Sequence, residues 1–496
     1  MKKPRSDVIP LQEKPTESRF AWLYTQLRSA VLEGRLVPGS RMPSTRALAQ
    51  TYGVARGTVV EVFEQLAAEG YLRPRSGSGT YVAASLPEDW TRVATLRSAP
   101  VMRASLPRLA LSKRGRDLTR GSDFLHGDRP RAFQAHRPAI DATTLAAWQR
   151  ISSRRRVRDA TFFSHNDRRG YRPLRAAVAD YLRRVRGVRC HEEQVLIFSG
   201  VQPMLDLTAR LLTDAGDTVL AEDPGYIGVR AVCKANGLRV LPLPVDAEGA
   251  NIDAIAPDAA EARLAFVSPA HHFPLGMTLS VRRRLALLGW ASRGGYIFED
   301  DYDGEYRFAG RPIAALQGLD ENQCVIYSGT FNKVLFPALR LSYLVVPEHL
   351  IDAFASARAT IERYPALAPQ MVLCDFIAEG HFARHVRRMR ELYAERLDVF
   401  QHLVEAHLGD ELELDTVSTG LQVVAWLRMQ QNDAALARAA LAYDVEVLPL
   451  SPTRIEQPLR DGFVLGFAGF EPAEMRRGIE GLRQTLHATR RHALVH

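Results

Sequence analysis

Apolar positions between residues 18 and 82 recur at helical spacing three times and then change period. Leu23, Leu27, Ala30 and Val31 share one face and predict an amphipathic helix ending at Gly34. Pro38-Gly39-Ser40 is a turn, and Ser44 is placed to cap a short helix through Leu48 and Ala49 that Gly53 breaks. Val59, Val62, Phe63 and Leu66 predict a third helix, starting near Arg56-Gly57-Thr58 and stopping at Gly70. Tyr71-Leu72-Arg73 and Thr80-Tyr81-Val82, joined through the Ser/Gly turn at 76–79, predict a hairpin. Three helices followed by a basic, glycine-tipped hairpin describe a winged helix-turn-helix over 18–85, behind a tail at 1–17.

Periodicity is lost over 86–120, which holds Pro87, Pro100 and Pro107, and eight basic residues against three acids. That composition predicts a linker, either passing near a polyanion or simply solvated. From residue 121 to 496 apolar runs alternate with helical stretches, as in an α/β domain with a mainly parallel sheet. Strands are expected at 195–198, 218–221, 239–243, 264–268, 296–299, 324–327 and 341–345. A basic helix at 383–400 and short strands at 421–427, 445–448 and 463–467 predict a smaller α+β lobe from about residue 370.

Bulk properties narrow the picture little. The 496 residues exceed one ordinary domain, and the net charge of +9 admits nucleic acid as a partner. Cys190, Cys233, Cys324 and Cys374 are too scattered for a disulfide framework or a zinc site, so no metal is expected. No apolar stretch reaches the roughly 18 residues of a membrane helix, and nothing resembles a leader, so a cytoplasmic protein is expected.

Candidate chemistry converges on Lys333. It lies in Ser328-Gly329-Thr330-Phe331-Asn332-Lys333, after the apolar run 324–327, with Arg340 seven residues on. A strand-edge lysine beside small hydroxyl residues and an arginine suits pyridoxal phosphate: the amine forms a Schiff base while hydroxyls and guanidinium hold the phosphate. Upstream, Ser199-Gly200-Val201-Gln202 joins a strand to a helix, where freed amides make an anion site. Tyr226, in Glu222-Asp223-Pro224-Gly225-Tyr226, could stack on a pyridine ring or merely cover the core. In Glu299-Asp300-Asp301-Tyr302-Asp303, one buried carboxylate could pair with a pyridine nitrogen, while Tyr302 could donate to a phenolic oxygen. Such an acid cluster could instead bind Mg²⁺, though no phosphate-loop lysine motif accompanies it.

The first unit resembles the DNA-binding domain of the GntR family in Pro38-Gly39-Ser40-Arg41-Met42-Pro43-Ser44-Thr45-Arg46 and Gly70-Tyr71-Leu72. The resemblance implies a third helix in the major groove and a wing in the minor groove. Ser44, Thr45 and Arg46 would lie at the DNA, with Arg46 on the backbone or a guanine. Arg56 and Thr58 would read base edges, and Arg75 with Gly77 would serve the wing. The bland alternative is a three-helix protein-interaction module with a basic surface.

The remainder resembles the fold-type-I aminotransferases, and the whole chain is similar to the MocR/GabR subgroup of GntR regulators. That resemblance implies that Lys333 forms the internal aldimine, Asp300 pairs with the pyridine nitrogen, Tyr302 bonds the phenolic oxygen and Tyr226 stacks. Gly200, Val201 and Gln202 would offer amides to the phosphate, with Ser328, Thr330 and Arg340 completing its shell. Arg454 falls about where the family holds a substrate carboxylate. A homodimer, with DNA domains exchanged between partners, is also implied. Two departures stand out: His272 where the family usually carries glutamine, and Asn332 where serine usually precedes the lysine. They leave cofactor binding intact and predict weak or absent turnover. Three functions follow: a regulator sensing an amine, an amino acid or pyridoxal phosphate itself; an active aminotransferase carrying a DNA domain; or, without cofactor, a degenerate dimerisation scaffold.

Overall fold

The computed structural model describes residues 18–75, 77–85, 111–120, 129–155, 167–308, 313–363, 365–417 and 419–493. The tail at 1–17, most of the expected linker (86–110), Ser76 of the wing turn and the expected domain start at 121–128 lie outside them. The chain divides into two compact units, 1–109 and 110–496.

In the first unit, helices α1 (Arg19–Leu32), α2 (Thr45–Tyr52) and α3 (Arg56–Ala68) precede the antiparallel strands β1 (Leu72–Arg75) and β2 (Gly79–Val82). The Ser44 hydroxyl accepts from Ala47 N at 3.1 Å and starts α2, and Gly53 ends it at φ 58°. Leu23, Leu27, Ala30, Val31, Leu48, Val59, Val62, Phe63 and Leu66 are buried together with Leu72 and Val82. The apolar periodicity therefore faces one core. Each fully buried aliphatic side chain contributes about 1.5–3 kcal/mol, which a unit this small needs.

The second unit opens with a helix, α4 (Lys113–Arg120), inside the stretch expected to be linker. It then gives α5 (Ala142–Arg154), α6 (Arg172–Val185), β3 (Val195–Phe198), α7 (Val201–Leu212), β4 (Thr218–Asp223) and α8 (Ile227–Asn236). Next come β5 (Arg239–Asp246), β6 (Gly249–Ala250), β7 (Leu264–Val267), α9 (Val281–Ala291), β8 (Tyr296–Asp301), β9 (Val325–Thr330) and β10 (Ser342–Val345). These strands form one sheet in the order β3-β10-β9-β8-β7-β4-β5-β6. Pairs β9·β8, β8·β7, β7·β4 and β4·β5 are parallel, whereas β10 runs against both neighbours and β6 against β5. Near-continuous apolar runs such as Val195–Phe198 and Leu264–Val267 are buried throughout, as expected of strands covered on both faces.

The smaller lobe follows α10 (Ile351–Ile361) and α11 (Leu367–Ala378). It comprises α12 (His381–Leu408), β11 (Leu412–Leu414), β12 (Gln422–Leu427), α13 (Asp433–Ala440), β13 (Leu448–Pro449), β14 (Gly462–Gly466) and α14 (Pro472–Ala493). Its sheet runs β11-β12-β14-β13, antiparallel throughout. Among the described residues no helix is long and apolar enough to cross a membrane.

Candidate functional site

Strand alternation sorts the acid cluster at the carboxyl end of β8. Glu299 and Asp301 project to one face and Asp300 to the other. Glu299 accepts from Leu316 N and Gln317 N at 2.7 and 2.8 Å, and Asp301 is paired with Arg186 Nε at 2.8 Å and Tyr327 Oη at 2.6 Å. Both carboxylates are committed to the fold. Asp300 takes the Ser328 hydroxyl at 2.8 Å, and burial raises its carboxyl to about 7, with Asp301 and Asp303 adding to the rise and Lys333 opposing it. Ser328 was expected in a phosphate shell. Its fully buried hydroxyl instead supports Asp300 from the neighbouring strand.

Lys333 lies in the turn between β9 and β10. The following carbonyl, Val334 O, receives Tyr306 Oη at 2.6 Å and His385 Nε2 at 2.7 Å, which ties the turn to α12. Burial lowers the Lys333 ammonium to about 8, against the attraction of Asp303 and Asp300, while Arg340 lowers it further. Asn332 explains its own departure. Its Oδ1 accepts from Leu341 N at 2.9 Å and its Nδ2 donates to Ser342 Oγ at 3.3 Å, so it clips the turn shut. Thr330 Oγ1 lies 2.7 Å from Ser342 Oγ and accepts from Asn332 N at 3.2 Å.

Gly200 caps α7, whose first residues, Val201 and Gln202, have backbone N–H groups with no intrahelical acceptor. A Cβ on Gly200 would stand 3.1 Å from Arg340 Nη2, so the missing side chain makes room for the guanidinium at the helix N-terminus. Amides and an arginine meeting there form an anion cradle. The Gln202 side chain donates to Tyr226 Oη at 3.0 Å. Tyr226 starts α8 and meets Phe273 edge-on at 6.0 Å.

His272 is buried, with Nε2 donating to Pro224 O at 3.1 Å. Burial pushes it down to about 3, so His272 is a neutral pin for the loop that carries Pro224 and Tyr226. Sequence reasoning passed over its neighbour. His271 Nδ1 meets Asp303 at 2.8 Å and Tyr302 Oη at 3.1 Å. No local signal links His271 to residues about thirty positions away; the fold makes that pairing.

Arg454 is placed differently from the other expected residues. Its guanidinium donates to Leu459 O at 2.9 Å, within its own loop. That loop does reach the site region, since Gly225 N donates to Thr453 O and Ile455 N to Asp223 Oδ1, at 2.9 and 2.7 Å.

In the first unit, Arg46 is exposed in the first turn of α2, next to Thr45 and the capping Ser44. Arg56 is the exposed first residue of α3 and Thr58 lies one turn-half further, partly covered. At the hairpin tip Gly77 takes φ +73°, and the Arg75 guanidinium sits 4.8 Å over the Tyr81 ring.

Residues 21–82 match the gntR family of bacterial regulatory proteins, and residues 139–482 match aminotransferase class I and II. The chain is 43% identical to the "Probable rhizopine catabolism regulatory protein MocR" of Rhizobium meliloti, over 94% of this chain and 93% of that protein. It is 36% identical to the "HTH-type transcriptional regulator TauR" of Rhodobacter capsulatus, over 77% of this chain and 79% of that one. Among solved structures it is similar to the α-aminoadipate aminotransferase LysN of Thermus thermophilus. The TM-score is 0.65 at 25% identity, covering 76% of this chain and 95% of LysN.

Proposed function

Because the chain belongs to the gntR family of bacterial regulators, as a MocR-like member carrying an aminotransferase class I and II domain, we propose that it is a transcriptional regulator whose first unit binds operator DNA and whose second unit senses an amine or amino acid at Lys333. Pyridoxal phosphate is the cofactor the site residues fit, and pyridoxal phosphate itself is also a candidate signal. The observation that carries this reading is the meeting of Gly200, the α7 amides and Arg340 on one side, with Asp300 and Lys333 in mutual electrostatic reach on the other. LysN, similar in fold, was solved with N-(5'-phosphopyridoxyl)-L-leucine.

The phosphate would lie in the cradle of Gly200, Val201, Gln202, Thr330 and Arg340, and Asp300 would face the ring nitrogen. Tyr226 would cover one ring face. When bound, the cofactor supplies an aldehyde carbon that links to primary amines and a ring that withdraws electrons from the link. Lys333, with its pKa brought down to about 8, keeps a share of neutral amine at neutral pH, available to bond that carbon or hold a proton. Lys333 would be the residue whose side chain an amine effector sets free, and a differential affinity of that effector for two arrangements of the chain would shift DNA binding. A homodimer with exchanged DNA units, presenting two recognition helices to two half-sites, belongs to this reading.

Full-length protein loaded with pyridoxal phosphate is expected to absorb in the visible, and Lys333→Ala to lose that band. Amines or amino acids that change the band are expected to change the shift of DNA from upstream of its own gene. The lowered Lys333 pKa also favours a second reading, a working aminotransferase. Sustained amino-acid/keto-acid turnover with no DNA shift would select it and overturn the first.

A further inference from the structure

Asp303, His271 and Tyr302 form a chain whose donors and acceptors can be assigned. Asp303 is 1% exposed, and its two carboxylate oxygens lie 2.8 and 2.9 Å from His271 Nδ1. The same nitrogen lies 3.1 Å from Tyr302 Oη. An ionised carboxylate only accepts, so the neutral imidazole must carry its proton on Nδ1, and a cationic ring carries one there too. Nδ1 then has no lone pair. Tyr302 can accept from this nitrogen but cannot donate to it, which leaves the phenol proton for another acceptor. Gly420, at φ +93°, packs so closely that a Cβ would overlap both His271 and Asp303, and this holds the pair in place.

We propose that Asp303 and His271 are positioning residues that fix Tyr302 as a hydrogen-bond donor to the ring-hydroxyl oxygen of bound pyridoxal phosphate. This rests on the reading of Lys333 and Asp300 above. By stabilising negative charge on that oxygen, the chain lowers the pH at which the bound cofactor changes protonation. The titratable groups facing Tyr302 are Asp303, Asp300, Glu222 and Asp301, with His136 edge-on at 5.8 Å and His271 stacked at 5.7 Å. His272 lies beside His271, and Lys333 faces Asp303. Burial, with Asp303 and Asp300 next, raises Tyr302 well above the usual phenol range, so its proton is in place.

The test is a pH titration of the visible absorbance of full-length protein with pyridoxal phosphate bound. Removing a donor from an oxygen destabilises negative charge there, so the protonated form persists to higher pH. His271→Phe and Asp303→Asn are each expected to raise the transition by about half to one pH unit, the size of one hydrogen bond. Tyr302→Phe should raise it at least as far, and adding His271→Phe to Tyr302→Phe should change nothing more. His271→Asn, whose amide can donate, should recover most of the shift. A transition unmoved by His271→Phe but moved by Tyr302→Phe overturns the proposal. So does a His271→Phe shift that persists without the phenol. Imidazole ¹⁵N shifts of the cofactor-free wild type read the assignment independently: protonation at Nδ1 is expected, and a ring protonated at Nε2 alone overturns it. A wild type that stays colourless with added pyridoxal phosphate overturns the Lys333 reading and this role of Tyr302 together. The ¹⁵N shifts distinguish that failure from a wrong hydrogen-bond direction.

Discussion

Glu222 is a buried carboxyl at the end of β4 whose hydrogen bonds do not compensate its burial. Its oxygens accept Ser268 N at 3.1 Å and Ser268 Oγ at 2.8 Å, yet burial still raises it to about 8. The folded chain thus holds a proton that the unfolded chain releases above the ordinary value of 4.5. The stability from this group is fully present below that value and is lost as pH climbs toward about 8, by up to about 1.4 kcal/mol per pH unit. Glu222→Gln keeps an oxygen for Ser268 and removes the titration. Denaturant unfolding of cofactor-free protein at about pH 5.5 and 8.5 should therefore show a shallower loss of stability in the variant. Asp300, raised to about 7, adds a slope of the same sign, so the variant's loss is reduced and not abolished. A single residue's chemistry was only half legible in sequence. The residues offered one carboxylate of the 299–303 cluster, only the family resemblance named Asp300, and His271 and His272 are adjacent and alike. Only the fold separates the one on Asp303 from the one on Pro224.

In the turn between β9 and β10 one side chain, Asn332, bonds to both Leu341 N and Ser342 Oγ at the far end. Asn332 Oδ1 accepts the N–H of Leu341, which is 2% exposed, so removing that acceptor leaves a buried donor unpaired. Asn332→Ala is expected to cost about 1–3 kcal/mol and Asn332→Asp less, since a carboxylate keeps the acceptor. Denaturant melts of the two variants check this, and weakened uptake of pyridoxal phosphate should accompany the loss because Lys333 shares the turn. Elements with strong periodicity were readable beforehand: every expected strand of the large sheet is present, most ending a few residues from the expected bounds. Two of the elements that were not anticipated have plain physical reasons. The helix Lys113–Arg120 has almost no apolar residues, and it lies against Ile227–Asn236, so a tertiary contact supports what periodicity does not announce. The strand Leu412–Leu414 is three residues long with one buried side chain, too short for a period to register. Expectation and structure also differ at 445–448, where only Leu448 enters the strand, with Pro449. Val445 is buried beside Ala132 instead, a contact some three hundred residues distant in sequence.

The whole molecule carries a net charge of +9, and in its first unit Arg46 and Arg56 are exposed at helix starts and Arg73 and Arg75 on the hairpin. Charge of that kind binds phosphates with release of counterions, so DNA affinity should fall linearly on a log–log plot against salt, with a slope near −0.9 per phosphate contacted. The positions of the arginines separate affinity from readout. On the proposed function, Arg75, held over Tyr81 at the hairpin, and Arg46, at the start of α2, would contact the backbone, and Arg56, the first residue of α3, would read a base edge. Arg46→Ala and Arg75→Ala should therefore weaken specific and nonspecific duplexes alike and make the slope shallower by about one each. Arg56→Ala should cost about 1–3 kcal/mol on the specific site and little on nonspecific DNA, relaxing preference at one base pair. Fluorescence anisotropy across a salt series, on both duplexes, measures the two effects together. On the proposed function, an effector acting through the second unit should move the intercept while leaving the slope unchanged, because it would alter how often the DNA units are correctly presented and not how many phosphates each touches. A slope that changes with effector would mean that the phosphate contacts themselves are remade.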